Sequence, residues 1–186
     1  MHTQQGRGPH TPRSARGFTL IELMVSFSAL LIVLLGFSRM LLSSHMASNT
    51  THEATLAKEA ARATLEVVQA APFAEIYRRY NANPADDPGG AGTASGAGFA
   101  VRGLEAPEGD NDGLPGQIFF PEQNGALCET INLPQYGWPT DMNGDGDADD
   151  TDVSSAYQVI PVVVRVEWRG SGGKGTVELK TVVGSF

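Results

Sequence analysis

The chain has 186 residues, 41% of them apolar, and carries 13 basic against 21 acidic residues for a formal net charge of −8. That length leaves room for one domain plus a membrane segment, and so acidic a body excludes direct nucleic-acid binding, whose affinity comes mostly from neutralising phosphates. Cys128 is the one cysteine, which excludes an intrachain disulfide; it is expected as a small apolar residue in a core strand.

Residues 1–17 hold Arg7, Arg13 and Arg16 and no acid; without them ten basic residues would face the same 21 acidic ones, a net charge of −11. An apolar run of twenty residues follows, Phe18 to Phe37, in which Glu22 is the only charged side chain. As a helix it would be about 30 Å long, the thickness of a bilayer core. It exceeds the apolar core of a removable secretory signal, about 7–15 residues, and the small residue Gly17 precedes it instead of following it. The basic flank places residues 1–17 in the cytoplasm and everything beyond about residue 40 outside. A carboxylate within such a span costs about 2.5–3.5 kcal/mol and needs a partner. Cleavage after Gly17 would create one, a cationic amine at Phe18, so that Glu22 of one subunit pairs with the terminus of a neighbour and fixes the axial register.

The stretch "RGFTLIELMVSFSALLIVLLGF" closely resembles the class III signal of type IV prepilins and of the pseudopilins of type II secretion, and most of all that of PilV-type minor pilins. The resemblance implies cleavage after Gly17 by a prepilin peptidase, N-methylation of Phe18 and assembly guided by Glu22. It also implies an inner-membrane precursor with a periplasmic head, which joins other pilin subunits in a cell-surface filament.

From Met46 to Ala71 there is neither Gly nor Pro, and good helix formers dominate. Leu56, Ala60, Ala63 and Val67 follow helical spacing and form an apolar stripe that needs a sheet to lie on; His45 and His52 are expected on the surface. The expected organisation is a leader at 1–17, an N-terminal helix at 18–71 and a head at 72–186. The segment 81–116 reads as loop, with short strands expected around Phe99–Leu104, at 117–122 and at 126–133. In "PVVVRVEWRGSGGKGTVELKTVV", Val162, Val164, Val166 and Trp168 alternate with Val163, Arg165 and Glu167, and Val177, Leu179 and Val183 alternate with Glu178 and Lys180. This predicts an antiparallel hairpin with one buried face and one charged face. The fold class expected is α+β and pilin-like, a long N-terminal helix packed on an antiparallel β-sheet with a long loop region.

The run "DMNGDGDADDTD", residues 141–152, has six aspartates in twelve positions. Aligned with a calcium loop, Asp141, Asn143, Asp145, Asp147, Asp149 and Asp152 fall at ligand positions and Gly146 at the turn. Calcium is therefore the expected cofactor. Asp152 stands where a bidentate Glu is usual, and its shorter arm gives weaker ligation. No histidine follows Pro72, so the head lacks the usual general base, and "GSGGKGT" has the wrong spacing for a phosphate loop. The expectation is a non-enzymatic minor pilin. The alternatives are a minor pseudopilin of a type II secretion system and a calcium-dependent binding module on a signal anchor.

Overall fold

A computed structural model of the chain describes residues 17–185. The arginine-bearing leader lies outside them apart from Gly17. Two compact units divide the chain, Met1–Ser44 and His45–Phe186, and helix α1 (Leu20–Ala70) runs from the first into the second.

In the first unit every described residue, 17 to 44, is exposed. The apolar half of α1 is long and apolar enough to cross a membrane, and none of that stretch is buried among the described residues.

The second unit is built on a four-stranded antiparallel sheet in the order β1–β2–β5–β6, formed by Gly98–Phe99, Gly116–Phe119, Val159–Gly170 and Gly173–Gly184. A separate two-stranded ribbon pairs β3 (Glu122–Gln123) with β4 (Ala126–Leu127), and a short helix α2 (Ile76–Tyr80) follows α1. The long helix and the antiparallel sheet share one hydrophobic core, the α+β arrangement expected from the sequence. Val162, Val164, Val166 and Trp168 are buried in it, as their alternation predicts, while Val177, Leu179 and Val183 are half-buried beside them.

The helix presents a different row from the one expected. Ala57, Ala61 and Val68 are fully buried, whereas Ala63 is exposed and Val67 is 59% exposed. The buried row is one residue on from Leu56–Val67, a rotation of about 100° about the helix axis. Both rows satisfy helical periodicity. The buried one puts Ala54, Ala57 and Ala61 toward the sheet, where small side chains allow close approach.

The expected strand at Phe99–Leu104 shortens to two residues, because the chain turns at Gly103 (φ +86°) with Leu104 N–H donating to the Val101 carbonyl. The segment 126–133 likewise pairs only at Ala126–Leu127. Cys128 follows directly; it is fully buried, with its Sγ 2.9 Å from Thr130 Oγ1.

Two strand glycines sit opposite aromatic rings, Gly175 across from Trp168 and Gly116 beside Phe99. At each a Cβ would run into the ring. A glycine in a strand interior, where the backbone gains nothing from it, here gives the aromatic ring room to lie flat. Trp168 is tied from the helix side as well. Its Nε1–H donates to Glu53 Oε2 at 3.3 Å, and Ser171 in the hairpin turn donates its Oγ–H to Glu53 Oε1 at 2.7 Å and its N–H at 3.1 Å. On the charged face Arg165 pairs with Glu178 at 2.5 Å and lies over the Phe119 ring, 4.6 Å from its centroid. Tyr136 covers the pair, donating to Glu178 Oε1 at 3.1 Å.

Gly175→Val should displace the Trp168 indole and lower unfolding stability by about 1–3 kcal/mol. Val182→Thr, on the exposed face of the same strand, should stay within about 0.5 kcal/mol; urea midpoints of the full chain in detergent compare the two. The hydrogen bonds from Ser171, ahead of all other influences, lower the Glu53 pKa. A lowered folded-state pKa makes the contribution of Glu53 complete above its unfolded value and lost as pH falls through the folded one. Acidification below the ordinary glutamate range should therefore speed exchange at the Ser171 amide and the Trp168 indole N–H. Glu53→Ala should produce the same fast exchange at neutral pH.

Candidate functional site

Two places concentrate the residues singled out by the sequence, the start of α1 and the acidic loop 141–152.

Gly17, Phe18 and Thr19 precede the first helical turn. The segment T-L-I-E from Thr19 to Glu22 has the form of a capping box. Thr19 Oγ1 accepts the Glu22 N–H at 3.3 Å, and its carbonyl accepts the Leu23 N–H at 3.2 Å. Thr19 is thus the N-cap, and Glu22 stands in the first turn, where the positive end of the helix dipole favours a carboxylate. Reading the sequence for charge alone passes over Thr19, although the T-x-x-E spacing carries it. Gly17 has no described neighbour within 4 Å of where a Cβ would stand, so nothing in the described chain requires glycine there.

Leu20, Ile21, Leu23, Met24, Val25 and Phe27 are each at least 59% exposed in the single chain. Fully burying one such side chain is worth about 1.5–3 kcal/mol. Six of them outweigh the roughly 2.5–3.5 kcal/mol that one carboxylate costs in a bilayer. The balance favours insertion with Glu22 retained, close to the end of the span.

The acidic loop is fastened at its base. The Met142 carbonyl accepts from Gln158 N–H at 2.7 Å and Val159 N–H at 3.0 Å, and the Leu127 carbonyl accepts from Val153 N–H at 2.9 Å. Met142 and Val153 are buried in the core. Inside the loop the carboxylates turn toward the backbone. Asp141 accepts from Gly144 N–H (2.6 Å) and Gly146 N–H (3.0 Å), Asn143 from Asp145 N–H (3.0 Å), and Asp145 from Asp147 N–H (3.2 Å). Gly144 and Gly146 take φ of +79° and +103°, a region that favours glycine. Asn143 Nδ2 donates to Asp145 at 3.2 Å and to Asp150 at 2.7 Å. Asp147 Oδ1 accepts from Asp149 N–H at 3.4 Å. A separate side-chain hydrogen bond to Asp147, and then the charge of that carboxylate, push the Asp149 pKa up. Asp152 faces Ser154, whose N–H it accepts at 3.0 Å, and that bond lowers its pKa. Among the described residues no three acidic, His or Cys side chains are gathered closely enough to hold a metal ion as they stand.

One residue absent from the sequence reading is drawn into this loop. Glu129 is 1% exposed, and its Oε1 accepts from Met142 N–H at 2.5 Å and Asn143 N–H at 3.2 Å. Its own N–H donates to the Asp150 carbonyl at 2.9 Å. No local pattern marks it, since it stands a dozen positions before the loop in an apolar stretch.

Residues 12–38 match the family model of the prokaryotic N-terminal methylation motif, the class III signal of type IV pilin-like precursors. No curated protein and no solved structure matches the chain. The motif and the uncovered apolar helix fit a membrane-anchored precursor of the pilin and pseudopilin type.

Thr19→Ala should cost about 1 kcal/mol of stability in the first turn. Amide exchange at Glu22 and Leu23 in micelles should rise accordingly and return to the native rate in Thr19→Asn.

Proposed function

We propose that the chain is a minor type IV pilin subunit, made as an inner-membrane precursor and assembled into, or priming, a surface filament. Prepilin peptidase removes the leader after Gly17 and methylates Phe18, and α1 then joins the helices of related subunits. The observation that carries this reading is the apolar half of α1. It has no partner among the described residues, and its one charge, Glu22, stands in the first turn, four residues from the amine that cleavage would create. A neighbouring helix supplies apolar contact along the stretch, and its Phe18 amine supplies the countercharge for Glu22. A glycine that no described contact requires is accounted for by a peptidase that recognises it. The function is structural, and the second unit is the displayed head.

A minor pseudopilin of a type II secretion machine would use the same N-terminal chemistry, and the shared motif supports both. A binding module on a plain signal anchor would have no use for Glu22 or for cleavage at Gly17.

Mass spectrometry of the N-terminal peptide tests the proposal, on membranes and on material sheared from cells. The expected species begins at N-methylated Phe18 and is present in the sheared fraction. Its retention in the membrane under piliating conditions would favour the pseudopilin. An unprocessed start upstream of Gly17 would refute both. Glu22→Val should still be processed but should be lost from the sheared fraction at least about ten-fold, the effect of removing about 1.4 kcal/mol from each subunit contact.

A further inference from the structure

We propose that loop 141–152 is a calcium site whose innermost ligand is Glu129. A run of aspartates alone does not make a site; the second observation is the other oxygen of Glu129. Its Oε2 is fully buried and has no hydrogen-bond partner among the described residues. The same carboxylate is held into the loop by Oε1, through Met142 N–H and Asn143 N–H, while its backbone N–H grips Asp150 on the returning limb. The carboxylate that carries the unpartnered oxygen is therefore anchored at the base of the loop, by its first limb through Oε1 and by its returning limb through the backbone.

A buried carboxylate oxygen without a donor is strongly disfavoured, and a cation relieves it. The chain offers no side-chain cation nearby in sequence, since it has no Lys or Arg between Arg102 and Arg165. The ligands available are all oxygens on a flexible, glycine-bearing loop, which suits calcium better than the smaller, rigidly octahedral magnesium. Asn143 draws Asp145 and Asp150 together, while Asp141 is turned to the Gly144 and Gly146 N–H groups, so the loop carboxylates close up around the ion only when it binds. The Asn143 amide N–H group bridging Asp145 and Asp150 occupies the position of the positive charge, and a half-turn of that amide presents its oxygen instead. Asp152, engaged with Ser154, stays outside the set. The longer arm of Glu129 replaces the glutamate that the twelfth position lacks. This inference is independent of the filament reading, because it rests on the second unit alone and its test needs no assembly.

The test is a calcium titration of the full chain in detergent after treatment with a chelator, followed by calorimetry and by thermal unfolding. Wild type should bind about one calcium, and at a hundred-fold excess over Kd its Tm should rise by about 5–10 °C; magnesium at the same concentration should give a much smaller rise. Glu129→Gln keeps the shape and the Oε1 acceptor, and it should weaken calcium at least about ten-fold, since charge count at the ligands sets affinity. Asp145→Asn, on the exposed side of the loop, should weaken it comparably without altering the Tm in chelator. A wild-type Tm indifferent to calcium would overturn the site. A Glu129→Gln chain with a lowered Tm but an undiminished calcium increment would show Glu129 to be only a brace for Met142 and Asn143, and would overturn its role as ligand. If that variant fails to fold, Asp145→Asn decides the site: calcium affinity equal to wild type would overturn it.

Discussion

The apolar half of α1 finds no cover among the described residues and needs a partner for it. Between residues 20 and 44 no side chain is buried among the described residues, and the free energy at stake is of order ten kcal/mol or more. Lipid satisfies that demand, and so does a bundle of like helices. The difference lies in Glu22, which lipid penalises and a neighbouring amine rewards. Thr19 closes the first turn and the helix dipole favours Glu22 even in the isolated chain, so the carboxylate is set in place before any partner arrives.

The second half of the same helix meets an opposite requirement, because its partner is in its own chain. Alanines face the sheet there, and β5 answers with valines and Trp168. From this half of the helix Glu53 reaches both the indole and the hairpin turn. One helix therefore changes from leucine, isoleucine and phenylalanine to alanine along its length. That change follows what covers each half.

Periodicity made the helix and the hairpin legible, since both repeat long enough to distinguish 3.6 from 2. It could not settle the phase of the helix: Leu56–Val67 and Ala57–Val68 are equally periodic, and only the sheet decides which row faces inward. Short strands failed for a related reason. "ALCETINL" is apolar enough for a strand, but its backbone is committed elsewhere, with Cys128 N–H donating to the Pro121 carbonyl and Glu129 N–H to that of Asp150. The start of α1 was almost wholly readable because its chemistry is contiguous. At the acidic loop the aspartates were readable and Glu129 was not, because its place there depends on tertiary closure.

Strand β6 is an outer strand of the sheet, and among the described residues it pairs only with β5 along all twelve of its positions. An open border of that length is a template for pairing with another chain, and a polymer that lines up many copies multiplies the opportunities. Lys174, Glu178 and Lys180 punctuate this strand, and side chains of that kind discourage sheet-to-sheet association. Copies of the second unit can thus come close to one another without their sheets fusing. In the proposed filament, contact between subunits would be left to the helices, whose register a single carboxylate can set.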